Sequence, residues 1–176
     1  LAGLDAARYD TVICGVNPDP SRQEKYAVSA SYAENPFCLV VNGDNDEIKS
    51  FEDLNGKVCA NSPSSTAGKI AQSYGASTAD ADLTGAMDML NTNRVDGHVN
   101  NVPAVDEYMK NRPDVNVKIA AVFQPADDQK YMIESAAMFR KEDQALCDKV
   151  SEIINEMIQD KTLYNLTVKY FGQTVA

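Results

Sequence analysis

The 176-residue chain has no tryptophan, one histidine and four cysteines. With His98 alone, a multi-histidine metal centre is excluded, and any catalytic triad would have to use that residue. Cys14, Cys38, Cys59 and Cys147 show no CxxC spacing, which argues against a zinc framework. Cys14, Cys38 and Cys59 sit inside apolar runs and read as buried free thiols. Their even number leaves a disulfide open in an oxidising compartment, with no connectivity implied. No apolar run approaches the ~18 residues of a membrane-spanning helix. Positive charge is also scarce: 16 Lys and Arg stand against 26 Asp and Glu, a net charge of −10. That excess repels phosphate backbones and anionic lipid, which argues against nucleic-acid and membrane-surface roles. What remains, 44% hydrophobic and 24% charged, is the composition of a folded protein of one domain or two small lobes. The chain opens on Leu1 and not Met, the mark expected of a processed or cut product.

Short apolar runs alternate with helical patterns along the chain. Strands are expected at residues 11–16, 37–41, 57–60, 95–99 and 117–122, with an extended apolar segment at 131–139. Ser21-Arg22-Gln23-Glu24 fits a capping box that opens a short helix after the loop Asn17-Pro18-Asp19-Pro20. Ser50 is expected to cap one turn ending at Gly56, and Thr84 to cap a helix to about residue 93. The small-residue loop 61–66 leads into a helix near 67–74, and Asn100 or Asn101 opens another with Pro103 in its first turn. From Asp143 the spacing Leu146, Val150, Ile153, Ile154, Met157, Ile158 describes an amphipathic helix, whose stripe Leu146/Val150/Ile153/Met157 is expected to be core. A last helix over 163–171 ends at Gly172. This alternation predicts an α/β fold with mainly parallel sheets.

Several segments then match a known family in order. Arg8-Tyr9-Asp10-Thr11-Val12-Ile13-Cys14-Gly15 followed by Ser21-Arg22 resembles its "G-x-Y-D-x-I … T-x-x-R" segment. Val28-Ser29-Ala30-Ser31-Tyr32 resembles "F-S-x-P-Y", and Ser50-Phe51-Glu52-Asp53-Leu54-Asn55-Gly56-Lys57 resembles "S-x-x-D-L-x-G-K". Ser64-Ser65-Thr66 stands where the family has a Gly-Ser/Thr-rich ligand loop, and Asn93-Arg94-Val95-Asp96-Gly97 resembles "G-R-V-D-A". Phe139-Arg140-Lys141-Glu142-Asp143 and Lys169-Tyr170-Phe171-Gly172 resemble the closing helices. The family is that of the family 3 extracellular solute-binding proteins, the amino-acid receptors of ABC importers.

The resemblance implies a periplasmic-binding-protein type II-like fold: two α/β lobes joined by two crossing strands, with ligand held between them. Residues 1–41 and 132–176 would form lobe one and 42–131 lobe two. It also implies that lobe one is incomplete, lacking about 60 residues at ~30 per strand–helix–strand unit. The strand at 11–16 would then carry an unpaired edge, open to a domain-swapped or edge-paired homodimer. A chain with part of the lobe-one wall absent is expected to bind free amino acids poorly.

The family positions map residue by residue. Arg22 would hold the ligand's α-carboxylate, because a guanidinium meets a carboxylate bidentately. Gly15 and Asn17 would face the ligand from a strand end, Gly15 allowing close approach to the main chain. Ser65 and Thr66 lead a helix whose N–H groups and dipole favour an anion, with Ser62 in the same loop; simple capping is the alternative role for this pair. Where the family commonly has an Asp for the ligand's ammonium, this chain has Asn101, which either caps a helix or offers a neutral carbonyl. Either the ligand lacks a positive amine or another acid replaces that Asp, Glu134 being the candidate. Asp96 and His98 read as structural, His98 as a satisfied core residue. No cofactor and no metal is implied.

The expected function is an extracytoplasmic receptor, periplasmic or a cell-surface lipoprotein. It would bind an amino acid or related small carboxylate and deliver it to an ABC permease, with no bond broken. Ligand would shift an open–closed equilibrium between the lobes. Two alternatives share the scaffold: a cyclohexadienyl dehydratase-like enzyme, which needs cleft acids that this chain does not obviously supply, and an extracytoplasmic sensor domain.

Overall fold

The structure is a computed structural model that describes residues 1–171, so the expected helix stop at Gly172 lies outside the described residues. The chain divides into two compact units. The first is Leu1–Asn35 with the chain from Pro125 onward, and the second is Pro36–Gln124. The division therefore falls six residues before the expected boundary at 41/42.

In the first unit, a one-turn helix α1 (Ala2–Asp5) precedes β1 (Val12–Val16), α2 (Pro20–Lys25) and β2 (Ala27–Glu34). The second unit starts with β3 (Phe37–Asn42), a 3₁₀ turn (Glu52–Leu54) and β4 (Val58–Ala60). It continues with α3 (Thr66–Ser73), β5 (Ser77–Ala79), α4 (Leu83–Asn91), β6 (His98–Asn101), α5 (Val102–Asn111) and β7 (Val117–Val122). The chain then returns through a 3₁₀ segment (Asp127–Met132) to β8 (Glu134–Phe139), α6 (Gln144–Gln159) and α7 (Thr162–Phe171).

The α/β class holds, but the strands do not run mainly parallel. The first unit's sheet has order β1–β8–β2, antiparallel throughout, with Val12 and Val28 both opposite Met138. In the second unit β6–β3–β7 is also antiparallel, with Val40 between His98 and Ile119. Parallel pairing is confined to β4 with β5, Cys59 opposite Thr78, and to a bridge from Cys59 to Gly97 just before β6. The apolar run of β3 reports burial on both faces, which a central antiparallel strand achieves as well as a parallel one. All six of its residues are buried.

β8 shows the two-residue alternation of a covered strand. Ala136 and Met138 pack with Leu4 and Tyr26, and Ala137 and Phe139 pack with Ala27 and Cys147 of α6. α6 buries Cys147 and Ile154, with Val150 packed beside them. Leu146 and Ile153, expected in the core stripe, are each 47% exposed, because the apolar arc of α6 is wider than the face β2 and β8 cover. In the second unit Cys38 and Val40 of β3 pack with Ala60, Met87, Leu90, Val95, Val105 and Val117.

Several local expectations are corrected. The cap of α2 is Asp19, whose Oδ1 accepts the Arg22 N–H at 3.0 Å, with Pro20 in the first turn. Ser21 instead donates to Asp19, because a proline already pre-set for the first turn moves the helix start upstream. α4 is capped by Asp82, whose side chain accepts the Gly85 N–H, and not by Thr84. Around the Glu52–Leu54 turn, Asp53 accepts from Lys49 N, Ser50 N and Ser50 Oγ, so the acid caps the serine and not the reverse. Among the cysteines, Cys38, Cys59 and Cys147 are buried and Cys14 is exposed. The expectation of a buried Cys14 fails because β1 has a strand partner on one side only among the described residues.

Candidate functional site

In the second unit two helices begin where adjacent parallel segments end. β4 leads through residues 61–65 into α3, and β6 leads directly into α5. The Cys59–Gly97 bridge and the Ala60 N–H donated to Gly97 O at 2.9 Å hold the two segments side by side. Ligands of open α/β sheets gather at this end of parallel strands, where free helix N–H groups point outward.

The loop before α3 is tightly built. Ser65 caps the helix, its Oγ accepting the Gly68 N–H at 3.0 Å and donating to Ser62 O at 2.8 Å. Gly68 makes this fold-back possible, since a Cβ there would lie 2.1 Å from the Ser62 carbonyl oxygen. Thr66 follows as the first helical residue, and Ser62, Ser65 and Thr66 are all half-buried. Asn61, which the sequence did not single out, locks the loop to β6: its Nδ2 donates to Val99 O at 2.8 Å and its Oδ1 accepts Val99 N–H at 3.0 Å. Asn101 occupies the cap position of α5, but its side chain makes no cap hydrogen bond to that helix.

In the first unit the strand-to-helix corner after β1 gathers three of the candidates. Gly15, with φ of +71°, donates its N–H to the Tyr32 hydroxyl at 2.9 Å. Asn17 spans to the segment entering β8, its Nδ2 donating to Met132 O and Glu134 O, each at 2.8 Å. Arg22 projects back over the corner from α2. Its Nη1 donates to Asn17 O at 2.8 Å and pairs with Asp19 Oδ2 at 3.1 Å, with one third of the side chain exposed. Glu134, the candidate replacement acid, lines a groove of about 470 Å³ in this unit with Tyr32, Glu34, Ile158 and Tyr164.

Asp96 is structural, its Oδ2 accepting Val58 N–H at 2.8 Å. His98 is a satisfied core residue, 2% exposed, and burial holds its pKa below the ordinary value of 6.5 despite an opposing hydrogen bond to Ala60 O. Burial likewise pushes the Cys38 and Cys59 thiols up to about 12, so neither is a thiolate at neutral pH. Among the described residues no group of three or more His, Cys, Asp or Glu could hold a metal ion, and no helix is long and apolar enough to cross a membrane.

The model of bacterial extracellular solute-binding proteins, family 3, matches residues 1–173. The chain belongs to this family. Two curated relatives are similar over nearly its whole length. An L-cystine-binding protein, TcyA, of Bacillus subtilis is 34% identical over 177 residues, covering 100% of this chain and 63% of the relative. A probable amino-acid ABC transporter-binding protein of Haemophilus influenzae is 31% identical, covering 99% of this chain and 66% of the relative. The chain thus spans a little under two thirds of their lengths. Among solved structures, an ancestral arginine-binding protein bound to arginine matches with a TM-score of 0.79 at 28% identity, covering 97% of this chain and 75% of that one. The L-cystine solute receptor of Neisseria gonorrhoeae, unliganded and open, matches at 0.69 and 32%, covering 99% and 72%. The periplasmic type II fold expected from the sequence is the fold these neighbours share.

Within this solute-binding fold the candidates form two groups: Gly15, Asn17 and Arg22 in the first unit, and Ser62, Ser65, Thr66 and Asn101 in the second. Sequence reading missed Asp19, Tyr32 and Asn61, which hold these residues in place. The signal for Asp19 was the Asp-Pro pair at a helix start, and Tyr32 stood in the "F-S-x-P-Y" match without its contact being legible; Asn61 acts across the fold and left no signal.

Proposed function

We propose that this protein is the extracytoplasmic receptor of an ABC importer, periplasmic or tethered as a lipoprotein, and that it binds a small amino-acid-like carboxylate without chemical change. The observation that carries this reading is the family match across residues 1–173, supported by relatives named for amino-acid and L-cystine binding. In this reading residues 1–41 and 132–176 serve as lobe one and 42–131 as lobe two, up to the offsets of six residues at the first boundary and seven at the second. Arg22 takes the ligand carboxylate with the fork that now meets Asp19 and Asn17 O, so ligand competes with Asp19 for the guanidinium. Gly15 and Asn17 shape the approach, and Ser62, Ser65 and Thr66 add N-terminal donors of α3. Asn101 offers a neutral acceptor to the amine, and Glu134 is the acid that supplies its counter-charge. The liganded form is the one the permease receives.

Calorimetric titration with L-cystine, L-arginine and L-glutamine tests this reading. Arg22→Ala abolishes heat that the wild type produces; equal affinity in both forms removes Arg22 from the site.

The proposal extends to self-association. The outer edge of β1, with Ile13 57% exposed and Cys14 beside it, suits antiparallel pairing with a second copy. Sedimentation at rising concentration shows a dimer if so, and Ile13→Lys leaves a monomer.

A further inference from the structure

The buried His98 sits at one end of a hydrogen-bonded chain that leads to the start of α5. Its Nδ1 lies 2.5 Å from Ala60 O, and a carbonyl only accepts, so Nδ1 carries the proton. Nε2 is then a lone-pair acceptor and takes an N–H of Asn100 Nδ2 at 3.0 Å. With its amino end committed to histidine, Asn100 turns its Oδ1 to the Asn101 N–H at 2.8 Å. The reversed amide would set oxygen against the Nε2 lone pair and NH₂ against the Asn101 N–H, so tautomer and amide orientation fix one another.

We infer that His98 is a positioning residue: held as the neutral Nδ1–H tautomer, it fixes Asn100 and, through it, the main chain at Asn101 where α5 begins. Its bearing on ligand rests on the reading above that Asn101 meets the bound amine. A proton on Nε2 would oppose the Asn100 Nδ2–H. Asn100 then rotates, and the Asn101 N–H loses its acceptor. The corner that faces ligand is thus set by the charge of a side chain that ligand never touches.

The surroundings favour the neutral form. β3 and β4, on either side, present the un-ionised thiols of Cys38 and Cys59. Asp96, just before β6, is engaged by Val58 N–H. On α5 stand half-buried Asp106, whose charge is felt at Cys38, and exposed Glu107 and Lys110; Lys69 on α3 and Asp88 on α4 are exposed. Desolvation is the largest influence on His98 itself.

Nitrogen NMR of the 176-residue protein without ligand tests this directly. The expected result is a single Nδ1–H tautomer at neutral pH. On acidification the Asn100 side-chain amide and the Asn101 backbone amide shift with the same midpoint as the His98 ring. In Asn100→Asp the new carboxylate accepts from Nε2–H and still accepts from Asn101 N–H, so the His98 midpoint rises while the Asn101 signal stays close to its wild-type position. An Nε2–H tautomer, or an Asn101 amide indifferent to His98 ionisation, overturns the proposal. Calorimetry with L-arginine and L-cystine on either side of the midpoint then reads the consequence, an affinity about tenfold weaker on the acid side, the scale of one displaced hydrogen bond. Coupled amides in a protein that binds neither amino acid uphold the positioning role and overturn the ligand reading instead.

Discussion

Asn61 joins the loop before α3 to β6 with one side chain, and both of its bonds are buried. Truncation to Ala leaves the Val99 N–H and C=O without partners in a place water does not reach. The expected loss is about 2–4 kcal/mol, from two desolvated backbone groups, read as a lower urea midpoint with an unchanged slope. A surface ion pair does much less: Lys149 and Glu152 on α6 are both exposed, and removing either should be nearly silent. Residue types in the sequence marked Arg22, the Ser62–Thr66 loop and Asn101 as chemistry because they stand in a family pattern. Asn61 and Tyr32 act on backbone 38 and 17 residues away, and no local spacing encodes such a contact.

At the scale of elements, the α3 entry depends on a glycine that is inside a helix. Gly68 has an ordinary helical φ, yet Ser62 O lies where its Cβ would be. Gly68→Ala should therefore destabilise the protein by about 1–3 kcal/mol despite alanine's better helix propensity, because backbone has to move. A thermal melt checks the sign, and amide shifts confined to residues 62–68 check the cause. Element existence was legible wherever an apolar run had a clear period: β3, α3, α5, β7 and α6 fall close to where the pattern puts them. β2 (Ala27–Glu34) carries Ser29, Ser31 and Tyr32 among small residues and gave no strand signal of its own; pairing with β8 makes it a strand. Strand direction was not legible at all, since hydrophobic run length reports how many faces are covered and not which way the partner runs. Helix starts slipped upstream because Asp19 and Asp82 outcompete the Ser and Thr that follow them.

On the scale of the whole molecule, acid is the expected weakness. His98 has a folded pKa below its unfolded value, so the unfolded chain binds the proton first as pH falls through 6.5. Stability is therefore fully present above that value and declines below it, by at most about 1.4 kcal/mol per pH unit for this group. Asp53, held low by the Lys49 and Ser50 N–H groups, acts in the same direction further into acid, its contribution fading as pH drops below the ordinary 3.8. Urea midpoints across pH check this: a His98→Gln variant should flatten the upper part of the curve and leave the lower part in place.

The central proposal is that Arg22, whose Nη1 meets Asn17 O, receives a small carboxylate with Gly15 and Asn17 beside it. Amide-resolved NMR titration of the 176-residue protein with L-arginine and L-glutamine, carried to high ligand concentration, tests it most directly. The account predicts shifts at Gly15, Asn17 and the residues flanking Arg22 that saturate together on one binding curve and vanish in Arg22→Ala. An absence of shifts at Gly15 and Asn17, or a curve unchanged by Arg22→Ala, would contradict it.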